Sequence, residues 1–402
     1  MVVLKFGGDT LSSTEKIKKV AKYIAKRRRK GEKLCVVVSA MGETTDRLLA
    51  RAHSLNPSPP KRELDMLVTT GERISASLLA IALQREGIPA ISFTGSQVGI
   101  ITDLYHTDAR IVQIKGFRLK ESLAQGRVPI VCGFQGVSYK KEITTLGRGG
   151  SDITAVALAW FLKARICEFY KAFSGIFTEN PKEFKNLKRL KELSYEEALE
   201  LTSSGSEVLN PRALALANKY NIKILVRSLR EGGTMIKSSL LSEGVEKAFV
   251  KALTHRFDLV RFTFLSVPKV SQCLSQVCGI LAQKRIPFLF FFHGLPHNNR
   301  FDLSFILSEE SADKAEDVFF SLKEKIRAEN LEIRRGIGSI SLVGPNVGTD
   351  PEVLAKVFSG LKKKRCHIEA FSSSATNLTV YLNKEDVGKG VKGLLKEFHL
   401  QR

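Results

Sequence analysis

The first 230 or so residues alternate short apolar, β-branched runs with segments of helical periodicity. The apolar runs are MVVLKF, LCVVVSA, IPAISF, VPIVCGF, ICEFY and IKILVRS. Between most of them lie helical segments such as STEKIKKVAKYIAKRRRK and ERISASLLAIALQREG. This alternation predicts an α/β fold with a mainly parallel sheet that is covered by helices on both faces.

Beyond Phe249 the order of elements becomes strand–helix–strand–strand–helix, and this order occurs twice. The first unit runs from VRFTFLS to SADKAEDVFFSLKEKIRAEN, and the second runs from GSISLVG to DVGKGVKGLLKEF. Each unit leaves one sheet face to be covered, so we expect two small α+β modules packed together, with FLFFF in the core or at a sheet interface. The sequence therefore predicts three domains, over residues 1–248, 249–332 and 333–402.

The composition is that of a globular protein with an excess of positive charge. The chain is 43% hydrophobic and 26% charged, and 63 Lys and Arg against 41 Asp and Glu give a net charge of +22. Such a charge attracts anions in general. No zinc finger, RNA-recognition signature or aromatic platform favours nucleic acid, and we expect the run KRRRK to be a solvated helix end.

The cysteines, histidines and apolar runs argue against several other classes of protein. Six cysteines are scattered without a CxxC pair, which disfavours a metal site and a disulfide framework. His293 and His297 are separated by Gly294 and Pro296, so no helix presents them as a metal pair. No apolar run reaches the length of a membrane span, and MVVLKFGGDT lacks the regions of a signal peptide. We expect a cytoplasmic protein with no membrane partner and no protein-ligated metal.

Two glycine-rich turns between a strand and a helix point to chemistry. KFGGDTLSS contains Lys5, and LGRGGSD contains Arg148 and opens a helix at Ser151. Such turns let backbone N–H groups approach phosphate oxygens, helped by the positive end of the helix. Neither turn is a GxxxxGK[ST] loop, and Asp152 stands where the third glycine of GxGxxG belongs. Together the turns predict two halves of a site for anionic groups.

Five segments resemble, in order, the motifs of aspartokinases, a branch of the amino-acid kinase family. They are VVLKFGG, VVVSA, TTGERISASLL, GFQG and TTLGRGGSD. The two C-terminal modules resemble the ACT regulatory modules of that family, so the resemblance covers nearly the whole chain. It implies transfer of the γ-phosphoryl group of ATP, bound with Mg²⁺, to the β-carboxylate of L-aspartate. The product would be 4-phospho-L-aspartate. This reaction would be the first step of lysine, diaminopimelate, threonine and methionine synthesis.

The resemblance also implies roles for individual residues. Lys5 would contact the transferring phosphate, and Asp152 would order this lysine and the phosphates. Arg148 would hold an aspartate carboxylate through two parallel hydrogen bonds, which lysine cannot reproduce. Glu72 would accept the substrate ammonium, while Ser151 and Asp152 could also cap their helix. The remaining substrate-binding positions implied are Ser39, Thr45, Phe134 through its backbone, and Ser151.

The nucleotide segment departs from the family pattern. Family members carry a Thr-Asp pair before PGIYTTDPR, whereas Lys171 and Ala172 occupy these positions in YKAFSGIFTENPK. Phe177 stands for the usual tyrosine, Lys182 for the usual arginine, and Glu207 for a lysine that approaches the nucleotide. An acid near a polyphosphate predicts weaker ATP binding. We expect nucleotide contacts from Lys5, Gly7, Gly8, Lys171, Phe177 and Lys182.

Two alternatives stay open on the sequence alone, and the regulation is only implied. The chain could be another kinase of the superfamily, acting on glutamate, carbamate or UMP, or a kinase-like amino-acid sensor without activity. The ACT resemblance implies a homodimer through these modules and an amino-acid effector, which we expect to be lysine. The strand IPFLFFF lacks the acidic residue that lysine-responsive relatives commonly carry there, so we expect weak inhibition. Asn377 in the second module could hold an amino acid's polar end.

Overall fold

The structure is a computed structural model that describes residues 1–206, 208–230, 232–238, 248–268 and 270–402. The chain divides into two compact units, Met1–Glu246 and Lys247–Arg402. The domain boundary expected after residue 248 lies close to this division.

The elements of the first unit follow the predicted alternation of strands and helices. Its described strands are β1 Val2–Phe6, β2 Leu34–Val38, β3 Ala90–Phe93, β4 Ile100–Thr102, β5 Ile111–Ile114, β6 Val128–Cys132, β7 Gln135–Ser138, β8 Ile143–Thr145, β9 Ile166–Tyr170, β10 Glu192–Leu193, β11 Ile224–Arg227 and β12 Thr234–Ile236. Its described α-helices are α1 Thr14–Arg29, α2 Thr44–Leu55, α3 Lys61–Val68, α4 Thr70–Arg85, α5 Gly95–Val98, α6 Phe117–Ala124, α7 Gly150–Phe161, α8 Tyr195–Ser203 and α9 Pro211–Lys219.

Eight of these strands form the main sheet, in the order β10-β12-β11-β9-β1-β2-β6-β3. The six strands from β11 to β3 pair in parallel, which confirms the predicted mainly parallel sheet. Strands β1 and β2 are buried along their whole length, as their near-continuous apolar sequences require. Helices α1 and α4 pack against Leu4 and Phe6 on one face, and α7 lies against the other face, towards which Lys5 points.

A second, four-stranded sheet in the order β5-β4-β7-β8 was not predicted. Its strands have only three or four residues, and QGVS and ITT are mostly polar or small, so no apolar run marks them. The polar groups are satisfied inside the fold: the hydroxyls of Thr102 and Thr144 are 2.6 Å apart and buried. Strand β8 leads directly into the glycine-rich turn of TTLGRGGSD.

The run KRRRK is not a purely solvated helix end, which corrects the expectation. The Arg27 side chain is 13% exposed and its Nη1 lies 2.7 Å from the carboxylate of Glu168 in β9. Arg28 and Arg29 donate hydrogen bonds to backbone carbonyl oxygens of other segments. The run fastens the end of α1 to the sheet because an acidic residue on β9 faces it.

One helical stretch, Lys61–Arg85, is long and apolar enough to cross a membrane by length and composition alone, unlike the expectation. It comprises α3 and α4, and half of its most apolar window is buried inside the fold. It carries the buried carboxylates of Asp65 and Glu72, which accept hydrogen bonds from β8 and from the end of β2. A core helix has these features, so length and hydropathy are weak support for a membrane span here.

The second unit follows the predicted strand–helix–strand–strand–helix order twice. Its described elements are β13 Ala252–Val267, α10 Val270–Lys284, β14 Phe290–His293, β15 Phe301–Ser308, α11 Glu309–Lys325, β16 Asn330–Val343, α12 Pro351–Lys363, β17 Ile368–Ser373, β18 Asn377–Asn383 and α13 Lys384–Glu397. All six strands form one antiparallel sheet in the order β14-β15-β13-β16-β18-β17.

The two long strands β13 and β16 run through both halves of this sheet. The start of β13, Ala252–Arg256, pairs with Ser339–Val343, and its second half, Leu259–Leu265, pairs with Asn330–Ile337. The boundary expected between residues 332 and 333 therefore falls inside β16. The phenylalanines of FLFFF pack on both sides of β14, where Phe290 and Phe292 join the cluster around Tyr381.

Candidate active site

The carboxyl ends of β9, β1, β2 and β6 meet at one edge of the main sheet, because these strands are parallel neighbours. This edge is the usual ligand-binding crevice of an open α/β sheet. Backbone hydrogen bonds join the ends, from Gly7 N to Tyr170 O (3.3 Å), Ser39 N to Phe6 O (3.1 Å), Gly133 N to Val38 O (2.9 Å) and Lys171 N to Arg227 O (2.8 Å). The segments after four strands are thus held side by side.

The turn after β1 requires glycine because the chain comes very close to its neighbours. A Cβ on Gly8 would lie 2.9 Å from the carbonyl oxygen of Ala40. A Cβ on Gly7 would lie 3.8 Å from the Lys5 ammonium nitrogen, so a bare backbone faces this charge. A polyphosphate could approach both the backbone and the ammonium group at this turn.

Lys5 and Asp152 form a buried ion pair beside this turn. The Lys5 Nζ lies 2.8 Å from Asp152 Oδ1, and both side chains are about nine-tenths buried. The Asn210 backbone N–H donates to the other oxygen of Asp152 at 3.1 Å. Burial acts to raise the pKa of Asp152, but the charges of Lys5 and Lys171, together with the hydrogen bonds from Lys5 and Asn210, hold this pKa below its usual value. Asp152 is therefore ionised and fixes the ammonium group of Lys5.

The glycine-rich turn of TTLGRGGSD places Arg148 at the start of α7. Gly149 has a φ of +70°, and a Cβ there would lie 2.9 Å from Nδ2 of Asn210. This Nδ2 donates to the carbonyl oxygen of Arg148 at 2.8 Å, so the turn is tied down through its backbone. The Arg148 side chain is exposed.

Neither Ser151 nor Asp152 caps α7, which corrects an expectation. The N-cap residue is Gly149, without a side-chain cap, and both residues lie in the first helical turn. The reason is that α7 begins at Gly150, before Ser151, so both side chains lie beyond the N-cap position, and the Asp152 carboxylate accepts from Lys5 and Asn210. Ser151 is buried against Gly133, where an added Cβ would meet Ser151 Cβ at 2.7 Å.

Glu72 is a buried carboxylate with an open acceptor. Its Oε1 accepts from the backbone N–H of Ala40 at 3.0 Å. Its Oε2 is buried and has no hydrogen-bond partner among the described residues. Burial raises the pKa of Glu72 to about 7, although the Ala40 N–H and the Lys5 charge act in the opposite direction. A buried acceptor without a partner is costly, and a bound cation would satisfy it.

Three further predicted substrate residues lie at the same edge or beside it. Ser39 directly follows β2, and Thr45 lies in the first turn of α2; both are half-buried. Phe134 follows β6 with a φ of +69°. Its N–H donates to Thr154 Oγ1 at 3.1 Å and its carbonyl accepts from Leu146 N at 2.8 Å. A substrate contact through the Phe134 backbone would depend on the second lone pair of this carbonyl.

Three of the predicted nucleotide residues follow β9 in the chain. Lys171 directly follows β9, and its charge lowers the pKa of Asp152. Phe177 packs edge-on against Phe173, with ring centroids 6.3 Å apart, and Lys182 is an exposed residue further along the same segment. Glu207 lies outside the described residues.

Sequence reasoning missed Asn210, which contacts both Asp152 and Arg148. The signal was present: an asparagine followed by proline is typical of a helix N-cap, and Asn210 caps α9. In the described part of the chain, no group of three or more His, Cys, Asp or Glu residues could hold a metal ion.

The comparisons with known proteins agree with this geometry. The model of the amino acid kinase family matches residues 1–228. Aspartokinase from Bacillus sp. (strain MGA3) is 37% identical over 402 residues, which is 100% of this chain and 97% of that protein. The chain belongs to the aspartokinase branch of the amino acid kinase family. Aspartokinase 2 from Bacillus subtilis (strain 168) is 36% identical over 404 residues, covering 100% and 98% of the two chains.

Solved aspartokinase structures share the fold. Aspartokinase III from E. coli, in complex with aspartate and ADP, matches with a TM-score of 0.83 over 99% of this chain and 100% of that chain, at 23% identity. Aspartate kinase from Synechocystis matches with a TM-score of 0.54 and 34% identity over 100% of this chain and 70% of that chain. The predicted fold of an amino-acid kinase sheet followed by ACT modules is confirmed for this aspartokinase family member.

Proposed function

We propose that this chain is an ATP-dependent aspartate kinase that forms 4-phospho-L-aspartate. The observation that carries the proposal is the buried pair of Lys5 and Asp152 beside the glycine turn after β1. In the described part of the chain, Asp152 is the one hydrogen-bond partner of the Lys5 ammonium, so two of its donors are available to a phosphate. Phosphoryl transfer depends mainly on such positioning and charge neutralisation.

The aspartate substrate has one group for each remaining part of the site. Its ammonium group meets Oε2 of Glu72, which lacks a partner among the described residues. A carboxylate meets the planar fork of Arg148, and Ser39, Thr45, Ser151 and the Phe134 carbonyl line the substrate. The β-carboxylate oxygen then attacks the γ-phosphorus. A P–O bond forms, the bond from phosphorus to the bridging oxygen of ADP breaks, and no proton has to move.

The nucleotide is bound as MgATP, which brings its own magnesium ion. Gly7 and Gly8 admit the phosphates close to the backbone, and Lys5 neutralises the charge that develops on the transferring group. Lys171 adds a second cation whose charge acts on Asp152, and together with Ala172 it stands where the family carries its Thr-Asp pair. Phe177 and Lys182 contact the rest of the nucleotide.

The remaining expectations concern organisation and regulation. The kinase domain covers residues 1–248. The two ACT modules, expected over 249–332 and 333–402, share the strands β13 and β16, form a homodimer and bind an amino-acid effector. Aspartokinase III from E. coli has been solved in complex with lysine and aspartate in a T-state, which supports lysine as the effector here. The protein is cytoplasmic and catalyses the first step of lysine and diaminopimelate synthesis. All six cysteines are free thiols, in keeping with a reducing compartment.

A substrate panel tests this function against its alternatives. ADP formation is measured with MgATP and, in turn, aspartate, glutamate, carbamate and UMP. We expect turnover with aspartate alone. Turnover with another acceptor would identify a different kinase of the superfamily, and binding of an amino acid without ADP formation would identify a sensor.

A further inference from the structure

Asp65 is a fully buried carboxylate to which the proposed reaction assigns no role. It lies on α3 and is 0% exposed. It accepts from Nδ1 of His106 at 2.7 Å, from the backbone N–H of Thr107 at 3.1 Å and from Oγ1 of Thr145 at 2.6 Å. A buried carboxylate is tolerated only with such partners. Asp65 therefore ties the segment between β4 and β5 to the end of β8.

Thr107 has an unusual backbone that this carboxylate stabilises. Its φ is +69°, a left-handed conformation that β-branched residues rarely adopt. Both oxygens of Asp65 lie 3.1 Å from its N–H, so the carboxylate holds the strained residue in place. The Thr107 carbonyl would lie 3.4 Å from a Cβ on Gly147, which shows how closely this segment approaches the glycine-rich turn.

Arg212, on α9, holds the same two segments together. Its Nη1 donates to Asp108 Oδ1 at 2.8 Å and to the Leu146 carbonyl at 2.7 Å. Its Nη2 donates to the carbonyl of Ala109 at 2.9 Å. The segment between β4 and β5 is thus fixed to the start of the glycine-rich turn by a carboxylate from α3 and by a guanidinium from α9.

These contacts end immediately before Arg148. In the described part of the chain, the Arg148 side chain has no hydrogen-bond or ion-pair partner, so its position depends on the backbone of its turn. Thr145 and Leu146 enter the turn on one side, and Asn210 holds the Arg148 carbonyl on the other. A displacement of about 1 Å in a group that binds substrate can cost about a hundredfold in rate.

We propose that Asp65, Thr107, Thr145 and Arg212 form a loop clamp that positions Arg148 for the aspartate carboxylate. Asp65 is its central positioning residue and does not touch substrate itself. This inference rests on the proposed aspartate kinase function. The clamp acts on substrate affinity and not on the Lys5–Asp152 pair.

Asp65→Asn tests the clamp. An amide replaces one of the two acceptor oxygens with an NH2 donor, so at least one of the three present donors, His106 Nδ1, Thr107 N–H or Thr145 Oγ1, then faces another donor. We expect the KM for aspartate to rise at least about tenfold, since the Arg148 turn becomes loose, while the KM for ATP stays within about twofold. Thr107→Gly in the same background should recover part of the loss, because glycine adopts a positive φ without strain.

Two further variants separate the clamp from general stability. Tyr195→Phe removes another buried hydrogen bond of this unit, from Tyr195 Oη to the Ile222 carbonyl at 2.7 Å. It should lower the thermal midpoint without changing the KM for aspartate. Thr145→Val removes one donor to Asp65 and should give a smaller rise in this KM. If Asp65→Asn does not fold, Thr145→Val carries the test.

Hydrogen–deuterium exchange of residues 144–150 gives a readout that does not depend on activity. We expect faster exchange there in Asp65→Asn or Thr145→Val and no change in Tyr195→Phe. An inactive wild type would refute the proposed function, while the exchange result would still decide whether the loop is clamped. Unchanged exchange and an unchanged aspartate KM in a folded Asp65→Asn protein would overturn the clamp.

Discussion

Two buried ion pairs lie on opposite faces of the main sheet, and they differ in how completely their donors are used. Lys5 on β1 pairs with Asp152, and Glu168 on β9 pairs with Arg27. Glu168 is in register with Leu4, the neighbour of Lys5, and successive residues of a strand point to opposite faces. The two pairs are therefore close in the sheet but separated by it.

The Arg27 pair is saturated, and the Lys5 pair is not. All three nitrogens of Arg27 are hydrogen-bonded, to Glu168, to Glu32 and to the hydroxyl of Tyr170. In the part of the chain that the structure describes, the Lys5 ammonium has one partner. A pair that only supports the fold uses up its donors, whereas a pair that serves a ligand keeps donors for it.

The largest effect should come from breaking the saturated pair. Arg27→Met removes the guanidinium and leaves two carboxylates, Glu168 and Glu32, without their main partner. Removing one member of a buried pair costs about 3–5 kcal/mol of unfolding free energy. Urea unfolding measures this loss, and kcat of the folded variant should stay within a few-fold of wild type. A collapse of kcat with unchanged stability would show that the two pairs have been assigned the wrong way round.

The second effect is expected at Lys5, where a substitution should lower kcat. Lys5→Ala removes the charge that faces the transferring phosphate, so kcat should fall by at least about a hundredfold. Initial rates of ADP formation at saturating aspartate and MgATP measure kcat directly. Arg27→Met is the matched control on the other face of the sheet. Turnover near the wild-type rate would remove Lys5 from the active site.

Arg148 differs from both pairs, because it is exposed and its side chain has no hydrogen-bond or ion-pair partner among the residues that the structure describes. Arg148→Lys keeps the charge but loses the planar fork, so the KM for aspartate should rise about tenfold or more, which is about 1.4 kcal/mol. The KM for ATP should change little. An unchanged aspartate KM would contradict the assignment.

The raised pKa of Glu72 predicts how kcat/KM for aspartate depends on pH. Since burial raises its pKa to about 7, it is ionised and able to bind an ammonium only above that pH. The kcat/KM for aspartate should fall about tenfold per pH unit below about pH 7 and level off above it. Glu72→Gln should abolish this slope and lower kcat/KM at high pH. A slope that persists in Glu72→Gln would assign the titration to another group.

The same shift has a consequence for stability. The folded-state pKa of Glu72 lies above the ordinary value of 4.5, so its contribution is present below pH 4.5 and is lost as the pH rises through about 7. The unfolding free energy of Glu72→Gln should therefore rise relative to that of wild type as the pH increases from 4.5 to about 7. Parallel urea titrations at pH 5 and pH 8 measure the difference.

The smallest effect is expected at the ACT modules. Strand β14 carries FFFH and no acidic residue, so a lysine ammonium finds no carboxylate there. We expect lysine to inhibit with a coupling free energy at or below the usual 1–3 kcal/mol. Titration of lysine and of threonine into the aspartate-saturation assay tests this, and inhibition by threonine alone would refute lysine as the effector.

The sequence predicted the parts of the fold that apolar patterning determines. The parallel strands and the repeated C-terminal order follow from continuous apolar runs and helical periodicity. The small sheet of β4, β5, β7 and β8 was missed because its strands have only three or four residues, and those of β7 and β8 are mostly polar or small. The length of β13 was missed because THRFD interrupts its apolar pattern, although this stretch pairs with β16 throughout most of its length.

The site shows a similar division. Glycine spacing and family motifs indicated Lys5, Arg148 and Asp152, because their neighbours in sequence carry the signal. Asp65 and Asn210 were missed, since each acts through contacts with segments that lie 40 or more residues away. Such partners become visible only when the folded chain brings the segments together.

The yield of aspartyl hydroxamate from aspartate, MgATP and hydroxylamine tests the proposed aspartate kinase reaction directly. Hydroxylamine traps an acyl phosphate, so the assay reports the proposed product itself. We predict hydroxamate formation that requires both aspartate and ATP and that falls at least about a hundredfold in Lys5→Ala but not in Arg27→Met. Absence of hydroxamate with the folded wild-type protein would contradict the proposed reaction, and equal yields from wild type and Lys5→Ala would contradict the role of Lys5 in it.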